Sequence, residues 1–440
     1  MKVVIFGLGS YEKGSGVSAA KFFIEKGAEV LITDLKTKHD LARQIKNLEN
    51  FCRMKKRALP KFVLGEHRKA DFHNADLVVR NPGVPKNSKF LALAKNKKIP
   101  VETDISIFLK NCPAKVIGVT GTRGKSTTAT LIYKLLGTRY PIVWLGGNIK
   151  ISPLSFVGKV KAGDIVVLEL SSWMLENFRA EKLAPHIAVV TNIYPDHLNT
   201  YKNMAEYIAA KKNIFACQKK DDALIVNGEN AKTKNWKGAG KTIKFYKKDA
   251  AGLKTNLLGA HNLENIAAAL SAVKIMKVPQ ASVKKVLKNF RGLPDRQELI
   301  AVKNGIKYIN DTTATTPDGA IAALRAFGQK IKNQKSKIKN IVLIVGGKDK
   351  NLEYNQLAKE IKKYCKAVVF FPGTATEKIQ LLITNYELLI MTAQNMTEAV
   401  RMASALAKKG DIILLSPAAA SFGLFQNEFD RGEKFKKAVK

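Results

Sequence analysis

The stretch GVTGTRGKSTTATLIYKLLG, residues 118–137, brings together residue types able to hold a phosphate chain. The β-branched run AKVIGVT reads as a buried strand that stops at Gly121, and KSTTATLIYKLL then carries apolar residues at helical spacing. Strand, glycine-rich turn and helix start make an anion site, because the unpaired N–H groups of the first turn and the helix dipole both face a ligand. Gly121, Thr122, Gly124, Ser126 and Thr127 would form the cradle, Lys125 would reach the outer phosphates, and the Ser126 hydroxyl would face a magnesium ion. The general spacing G-x-x-x-x-G-K-[ST] asks for glycine at 119, where the chain has Val119, but the denser form TGTxGKST is met in full. Downstream, Glu169 ends VVLELSS, and Asn192, Asp196 and His197 lie in TNIYPDHLNTY. Each falls at the expected carboxyl end of a strand, where α/β active sites assemble. Single residues of this kind are more often solvated or structural, and it is their joint placement that points to a site. A carboxylate with a serine hydroxyl suits Mg2+, an ion that keeps several waters and also binds phosphates.

Positioning these groups requires strands that alternate with helices. The opening KVVIFGLGSYEKGSGVSAAKFFIEKGAEVLITD reads as strand, glycine-rich turn, amphipathic helix and a second strand ending at Asp34. Gly7, Gly9, Gly14 and Gly16 would let the backbone approach a diphosphate, although the spacing departs from G-x-G-x-x-G and does not by itself imply NAD. ADLVVRNPGVP predicts a strand ending in a loop at residues 81–85, which contains Asn81 and Gly83, at the ligand edge of the same sheet. A second run of strands follows the phosphate loop (PIVWLGGN, DIVVLELSS, HIAVVTNI, DALIVNG), with a clear helix in GAHNLENIAAALSAVKIM. After GLPDRQE the alternation resumes through IKYINDT, NIVLIVGG, AVVFFPG and DIILLSP. The expected class is α/β in three mostly parallel domains: an N-terminal Rossmann-like domain over 1–101, a central P-loop-type ATPase domain over 102–295, and a C-terminal Rossmann-like domain over 296–440.

The length of 440 residues fits two to three domains. No run approaches the roughly 18 apolar residues of a membrane span, and the start MKVVIFGLGS leads directly into a strand, without a cleavable signal. Cys52, Cys112, Cys217 and Cys365 stand far apart with no CxxC pair, which predicts a reducing, cytoplasmic setting and no metal cluster. The net charge of +39 suggests nucleic acid, but the lysines are spread along the chain with no arginine-rich arm or aromatic platform. The densest cluster, in residues 328–347, reads as a solvated linker before a strand. Nucleic acid is therefore not the expected partner, and such a field would also favour small polyanionic substrates.

Taken together, GVTGTRGKST, LELSSWMLE, TNIYPDHLNTY, GAHNLENIAAA, GLPDRQE, NDTTATTPDG, GGKDKN, LLSPAAASFGLF and NEFDRGEKF resemble the Mur ligase family, in the family's order and along nearly the whole chain. Within it, the opening GLG turn, NDTTAT and SPAAASF are most similar to the branch that joins glutamate to UDP-N-acetylmuramoyl-L-alanine. The resemblance implies a monomeric, ATP-dependent, amide-forming ligase of peptidoglycan synthesis, and so a role in cell shape and division. ATP would phosphorylate the substrate carboxylate to an acyl phosphate, and the glutamate amine would then attack it. Carried over by position, Lys125 and Ser126 hold phosphates and a first Mg2+, Glu169 is a metal ligand and His197 helps bind a second Mg2+. Lys211, or alternatively its neighbour Lys212, matches a carbamylated lysine. Asn265, Arg296 and Asp311 match nucleotide contacts. Asn148 contacts the muramoyl part, and Gly7, Gly9, Asp34, Asn81 and Gly83 contact the UDP substrate. Thr315, Lys350, Ser421 and Phe422 match the amino-acid pocket. The third domain is expected to rotate onto the second when ATP binds.

The chain departs from the family pattern at five positions. Arg123 stands where asparagine is usual, Asp295 where histidine is usual, Thr313 and Thr316 where lysine and asparagine are common, and Gly423 where an acid follows ASF. The last four leave the phosphate chemistry intact but leave open D- or L-glutamate, or another amino acid. Other readings are a folylpolyglutamate synthase-type ligase, disfavoured by the UDP-type N-terminal domain, a basic nucleotide- or nucleic-acid-binding protein without ligase activity, and a dehydrogenase, disfavoured because no hydride-transfer site follows the irregular GLGSYEKGSG.

Overall fold

The computed structural model describes residues 1–197, 200–332, 341–421 and 423–440, and these form two compact units. The first comprises Met1–Tyr194, Ala205–Asp249 and Asn265–Val283, and the second Pro195–Met204, Ala250–Glu264 and Lys284–Lys440.

The first unit holds two wholly parallel sheets. β1 (Lys2–Phe6), β2 (Glu29–Asp34), β3 (Lys61–Leu64), β4 (Leu77–Arg80) and β5 (Val101–Glu102) lie in the order β3-β2-β1-β4-β5. Strand order reverses between β1 and β4, which opens a crevice at the ends carrying Gly7 and Asn81. β6 (Lys115–Thr120), β7 (Val143–Gly147), β8 (Ile165–Glu169), β9 (Ile187–Val190), β10 (Ala223–Asn227) and β11 (Lys241–Phe245) lie in the order β11-β10-β9-β6-β8-β7. Here the reversal falls at β6, whose carboxyl end runs into the phosphate loop. β8 and β9 are buried along their whole length, the expected burial for parallel strands covered on both faces, and their continuous β-branched runs provide it.

The two sheets are fastened together by polar contacts. The Ser152 N–H donates to the Lys13 carbonyl at 2.7 Å, and the Ser152 hydroxyl donates to Asp104 Oδ2 at 2.6 Å. Arg80, at the end of β4, donates to the Val84 carbonyl through Nε and Nη2 and pairs through Nη1 with Glu176 at 2.9 Å, both side chains being largely buried.

The second unit holds one sheet. β12 (Glu298–Lys303) and β13 (Ile306–Asn310) form an antiparallel hairpin. β14 (Ile341–Gly346), β15 (Cys365–Phe371), β16 (Leu389–Thr392) and β17 (Ile412–Leu415) complete the order β12-β13-β17-β14-β15-β16, parallel from β13 onward. Alternation along β14 divides its side chains between two cores. Ile341, Leu343 and Val345 pack with the helices Pro317–Lys332 and Asn355–Tyr364, while Val342 and Ile344 pack with Met396–Leu406 and Glu428–Val439. The expected linker at 328–340 is corrected in part: residues 328–332 continue the helix that starts at Pro317, since glutamine and lysine are good helix formers, and residues 333–340 lie outside the described residues.

Candidate active site

The phosphate loop is shaped by the end of the neighbouring strand β9. Gly121 and Gly124 adopt φ of +140° and +82°, and Gly124 caps the helix Lys125–Leu136. A Cβ on Gly121 would lie 1.9 Å from Thr191 Oγ1, and one on Gly124 1.9 Å from Asn265 Oδ1, so only glycine fits either position. The Thr122 N–H donates to the Asn192 carbonyl and the Arg123 N–H to Asn192 Oδ1, both at 2.9 Å, while the Thr191 hydroxyl donates to the Arg123 carbonyl at 2.6 Å. Lys125 Nζ donates to the Thr122 carbonyl at 3.0 Å, which folds the ammonium back over its own loop. Asn265 lies against this loop, and its carbonyl accepts from the Thr128 hydroxyl at 3.4 Å. Ser126 and Thr127 are buried at the helix start.

Glu169 ends β8 in register with Val119 and Gly147. It is 1% exposed. Its Oε1 accepts from Asn148 Nδ2 at 3.0 Å, and its carbonyl accepts from the Asn148 N–H at 2.8 Å. Among the described residues Glu169 Oε2 is buried with no hydrogen-bond partner, an acceptor suited to a cation. No group of three or more His, Cys, Asp or Glu gathers among the described residues.

The helix Met204–Lys212 presents Lys211 and Lys212 differently. Lys211 is 2% exposed, with its ammonium 4.9 Å from the Tyr207 ring centre, whereas Lys212 is exposed and lies over Trp236. The Tyr207 hydroxyl lies 3.1 Å from Thr122 Oγ1, linking Lys211 to the phosphate loop. Sequence reasoning did not single out Tyr207. Its one available signal was a spacing of four residues from Lys211, which is common on any helix.

At the crevice of the first sheet, Gly7 and Gly9 take positive φ and pack against Asn81, whose Oδ1 accepts from the Gly83 N–H at 3.0 Å. Asp34 Oδ2 accepts from the Leu8 and Gly9 N–H groups at 2.7 and 3.2 Å, and Oδ1 accepts from the Lys36 N–H. Asp34 thus clamps the turn. Gly16 serves packing: a Cβ there would meet the Gly7 carbonyl at 2.4 Å, so it lets the helix Ser15–Glu25 lie against the turn.

The remaining candidates belong to the second unit. His197 takes φ +56°, with Nε2 3.6 Å from Asp196 Oδ2; Leu198 and Asn199 of the same motif, and Phe422, lie outside the described residues. Asp311 Oδ2 accepts from the Ser416 hydroxyl at 2.9 Å and Oδ1 from the Gln297 N–H at 3.2 Å, next to Arg296, whose own N–H donates to the Leu293 carbonyl. Three segments converge beyond β13, β14 and β17. Lys350 Nζ donates to Thr315 Oγ1 at 3.1 Å, Lys348 and Ala420 exchange backbone hydrogen bonds beside Ser421, and the Ala418 N–H donates to the Ala314 carbonyl. Lys350, Thr315 and Ser421 therefore stand on adjoining loops.

Two departures from the family pattern are coupled. The Asp295 side chain accepts from Asn310 Nδ2 at 2.9 Å and pairs with Lys436 at 3.1 Å, and its carbonyl accepts from the Thr313 hydroxyl at 3.0 Å. Burial opposes the charge on Lys436, but Glu433, Asp295 and Glu298 outweigh it and raise the ammonium above its usual range. Gly423 takes φ +112° in open space, Thr316 is fully buried, and nothing in the structure explains the choice of Arg123. Arg431, also not singled out from the sequence, is 1% exposed and donates to the Thr312 hydroxyl and carbonyl and to the Ala419 carbonyl, bracing the segment that leads to Ser421.

Three family models match the chain: Mur ligase MurD-like N-terminal domain over residues 1–103, Mur ligase middle domain over 119–251, and Mur ligase, glutamate ligase domain over 295–419. The chain is 37% identical to the UDP-N-acetylmuramoylalanine–D-glutamate ligase of Roseiflexus sp. (strain RS-1), covering 100% of this chain and 98% of that one. It is 35% identical to the protein of that name from Borreliella afzelii (strain PKo), covering 100% and 97%. Among solved structures it resembles the UDP-N-acetylmuramate-alanine ligase MurC of Thermotoga maritima, with TM-score 0.67, 20% identity and coverage of 100% and 99%. It also resembles the MurF ligase of Thermotoga maritima in complex with ADP, with TM-score 0.60, 16% identity and coverage of 99% and 97%. Both are likenesses of fold. No helix among the described residues is long and apolar enough to cross a membrane.

Proposed function

The chain belongs to the Mur ligase family, and from that premise we infer that it is an ATP-dependent ligase joining D-glutamate to UDP-N-acetylmuramoyl-L-alanine in peptidoglycan precursor synthesis. The observation that carries this reading is the phosphate loop at the switch point of the central sheet, with the buried, half-satisfied carboxylate of Glu169 on the adjoining strand.

A carboxylate is a poor acyl donor at neutral pH. A substrate carboxylate oxygen attacks the γ-phosphorus of ATP, ADP leaves, and the resulting acyl phosphate carries a competent leaving group. The free amine of D-glutamate then attacks the acyl carbon, and inorganic phosphate departs with the former C–O bonding pair, leaving the amide after loss of the amine proton. Both steps bring anions together, so the protein's part is alignment and charge neutralisation.

Residues 121–127 cradle the triphosphate, and Lys125 turns from the Thr122 carbonyl toward its outer phosphates. Asn265, Arg296 and Asp311 are assigned to the nucleotide. The turn of Gly7 and Gly9, shaped by Asp34, together with Asn81 and Gly83, is assigned to the UDP moiety, and Asn148 to the muramoyl part. Thr315, Lys350, Ser421 and Phe422 are assigned to the amino acid. Mg2+, held by Ser126 and Glu169, with His197 and a carbamylated Lys211 serving a second ion, would neutralise phosphate charge when bound. Burial favours Lys211 over Lys212 for that modification. We place the reaction in the cytoplasm, in keeping with four cysteines that stand far apart in the sequence with no CxxC pair, and take the monomer as the working unit.

Phosphate release by the purified protein tests the reading. Release should require UDP-N-acetylmuramoyl-L-alanine and D-glutamate together with ATP, and the product mass should show one new amide. Release independent of amino acid, or a preference for L-glutamate or another amino acid across a panel, overturns it.

A further inference from the structure

The loop that carries Lys350 also carries a carboxylate, Asp349, whose side chain is 7% exposed. A fixed negative charge on the residue next in sequence to an ammonium assigned to an anionic substrate should weaken that ammonium's attraction for it. The structure gives Asp349 its own cation. Oδ2 pairs with Lys378, while Oδ1 accepts from the Tyr354 hydroxyl at 2.8 Å and from the Leu352 N–H at 3.2 Å. The Asp349 N–H donates to Thr374 Oγ1 at 3.0 Å, and the Ala375 N–H donates to the Gly347 carbonyl at 3.0 Å. The loop is thus bound at two points, Gly347 and Asp349, to the start of the helix Thr374–Ile383, which bears Lys378. Burial works to raise the Asp349 carboxyl, but Lys378, Tyr354 and the Leu352 N–H reverse this and hold it below the usual carboxylate range.

We propose that Lys378 is a positioning residue of the amino-acid pocket: by neutralising Asp349 and pinning its loop, it keeps an uncompensated negative charge from standing next to Lys350, the residue assigned to a carboxylate of the incoming anionic amino acid. The proposal rests on the assignment of Lys350 and Thr315 to that pocket. Lys378 itself touches no substrate. It is half exposed, so its replacement leaves no buried cavity, whereas Tyr354 is buried in the core and is a poorer probe.

Steady-state kinetics of the full chain test this, with ATP and UDP-N-acetylmuramoyl-L-alanine saturating. Lys378→Ala should raise KM for D-glutamate roughly three- to tenfold, with kcat and KM for ATP within about twofold of the parent. Lys378→Arg should restore KM. Adding Asp349→Asn to Lys378→Ala should recover most of the loss, because the uncompensated charge is gone. A raised KM in Lys350→Ala with none in Lys378→Ala overturns the proposal, as does a double variant no better than Lys378→Ala. If Lys350→Ala itself leaves KM for D-glutamate unchanged, the pocket assignment fails and the proposal falls with it. Equal thermal midpoints among the variants should exclude misfolding.

Discussion

Lys211 and Lys212 adjoin in sequence and diverge in environment, one enclosed over Tyr207 and the other in solvent over Trp236. If the enclosed amine supports the phosphoryl-transfer centre, Lys211→Ala should lower kcat by about a hundredfold or more, the scale of losing one preorganised charged group, while Lys212→Ala should stay near the parent. Rates of phosphate release measure both, and an equal loss in the two variants would overturn the assignment. His261 gives a prediction about stability. Burial lowers its pKa to about 4, and its Nε2 lies 3.3 Å from Gln297 Nε2. Unfolding returns the ring to an ordinary pKa near 6.5, so between these values the unfolded chain binds a proton that the fold refuses. The contribution is therefore whole above about pH 6.5 and declines as pH falls toward 4, the loss amounting to about 2 kcal/mol by pH 5 at most. Denaturant midpoints at pH 7 and pH 5 should differ less in His261→Gln than in the parent.

At the level of elements, the phosphate loop depends on two glycines and the end of a neighbouring strand. Gly124→Ala forces a Cβ into Asn265 at a left-handed φ, and should weaken ATP binding at least about tenfold in a calorimetric titration. Unchanged affinity would mean that the loop is not the nucleotide's seat. The strands of this sheet were legible from VIGVT and IVVLE because continuous β-branched runs between turns have few other solutions. The placement of Glu169 at a strand end was legible for the same reason. The distinct duties of Gly7, Gly9 and Gly16 were not, since a missing Cβ does not say whether backbone, ligand or a neighbouring side chain fills the space. Asp34 was read as a ligand group; that it also holds the Leu8 and Gly9 N–H groups is a local turn preference that leaves no periodic trace. Arg431 and the Arg80–Glu176 pair were illegible because their partners lie far along the chain.

For the whole molecule, 75 basic residues against 36 acidic ones give a net charge of +39, a field that attracts nucleotide-linked polyanions. KM for UDP-N-acetylmuramoyl-L-alanine should rise severalfold between about 0.05 and 0.3 M salt, as screening shortens that field, while thermal stability changes little. A salt-independent KM would mean that the spread of lysines does not steer substrate. The ion pair of Arg80 and Glu176 fastens the first sheet to the central one within one compact unit. Glu176→Ala should cost roughly 3 kcal/mol by stranding a buried guanidinium, seen as a lower denaturant midpoint. The same fastening sets terms for recombination. A chimera that grafts another ligase's N-terminal segment onto this chain, up to and including the position of Asp104, would import a foreign glycine turn while orphaning Glu176 and Ser152. Successful domain swaps should therefore be those whose donor brings a guanidinium and a carboxylate to the places of Arg80 and Asp104.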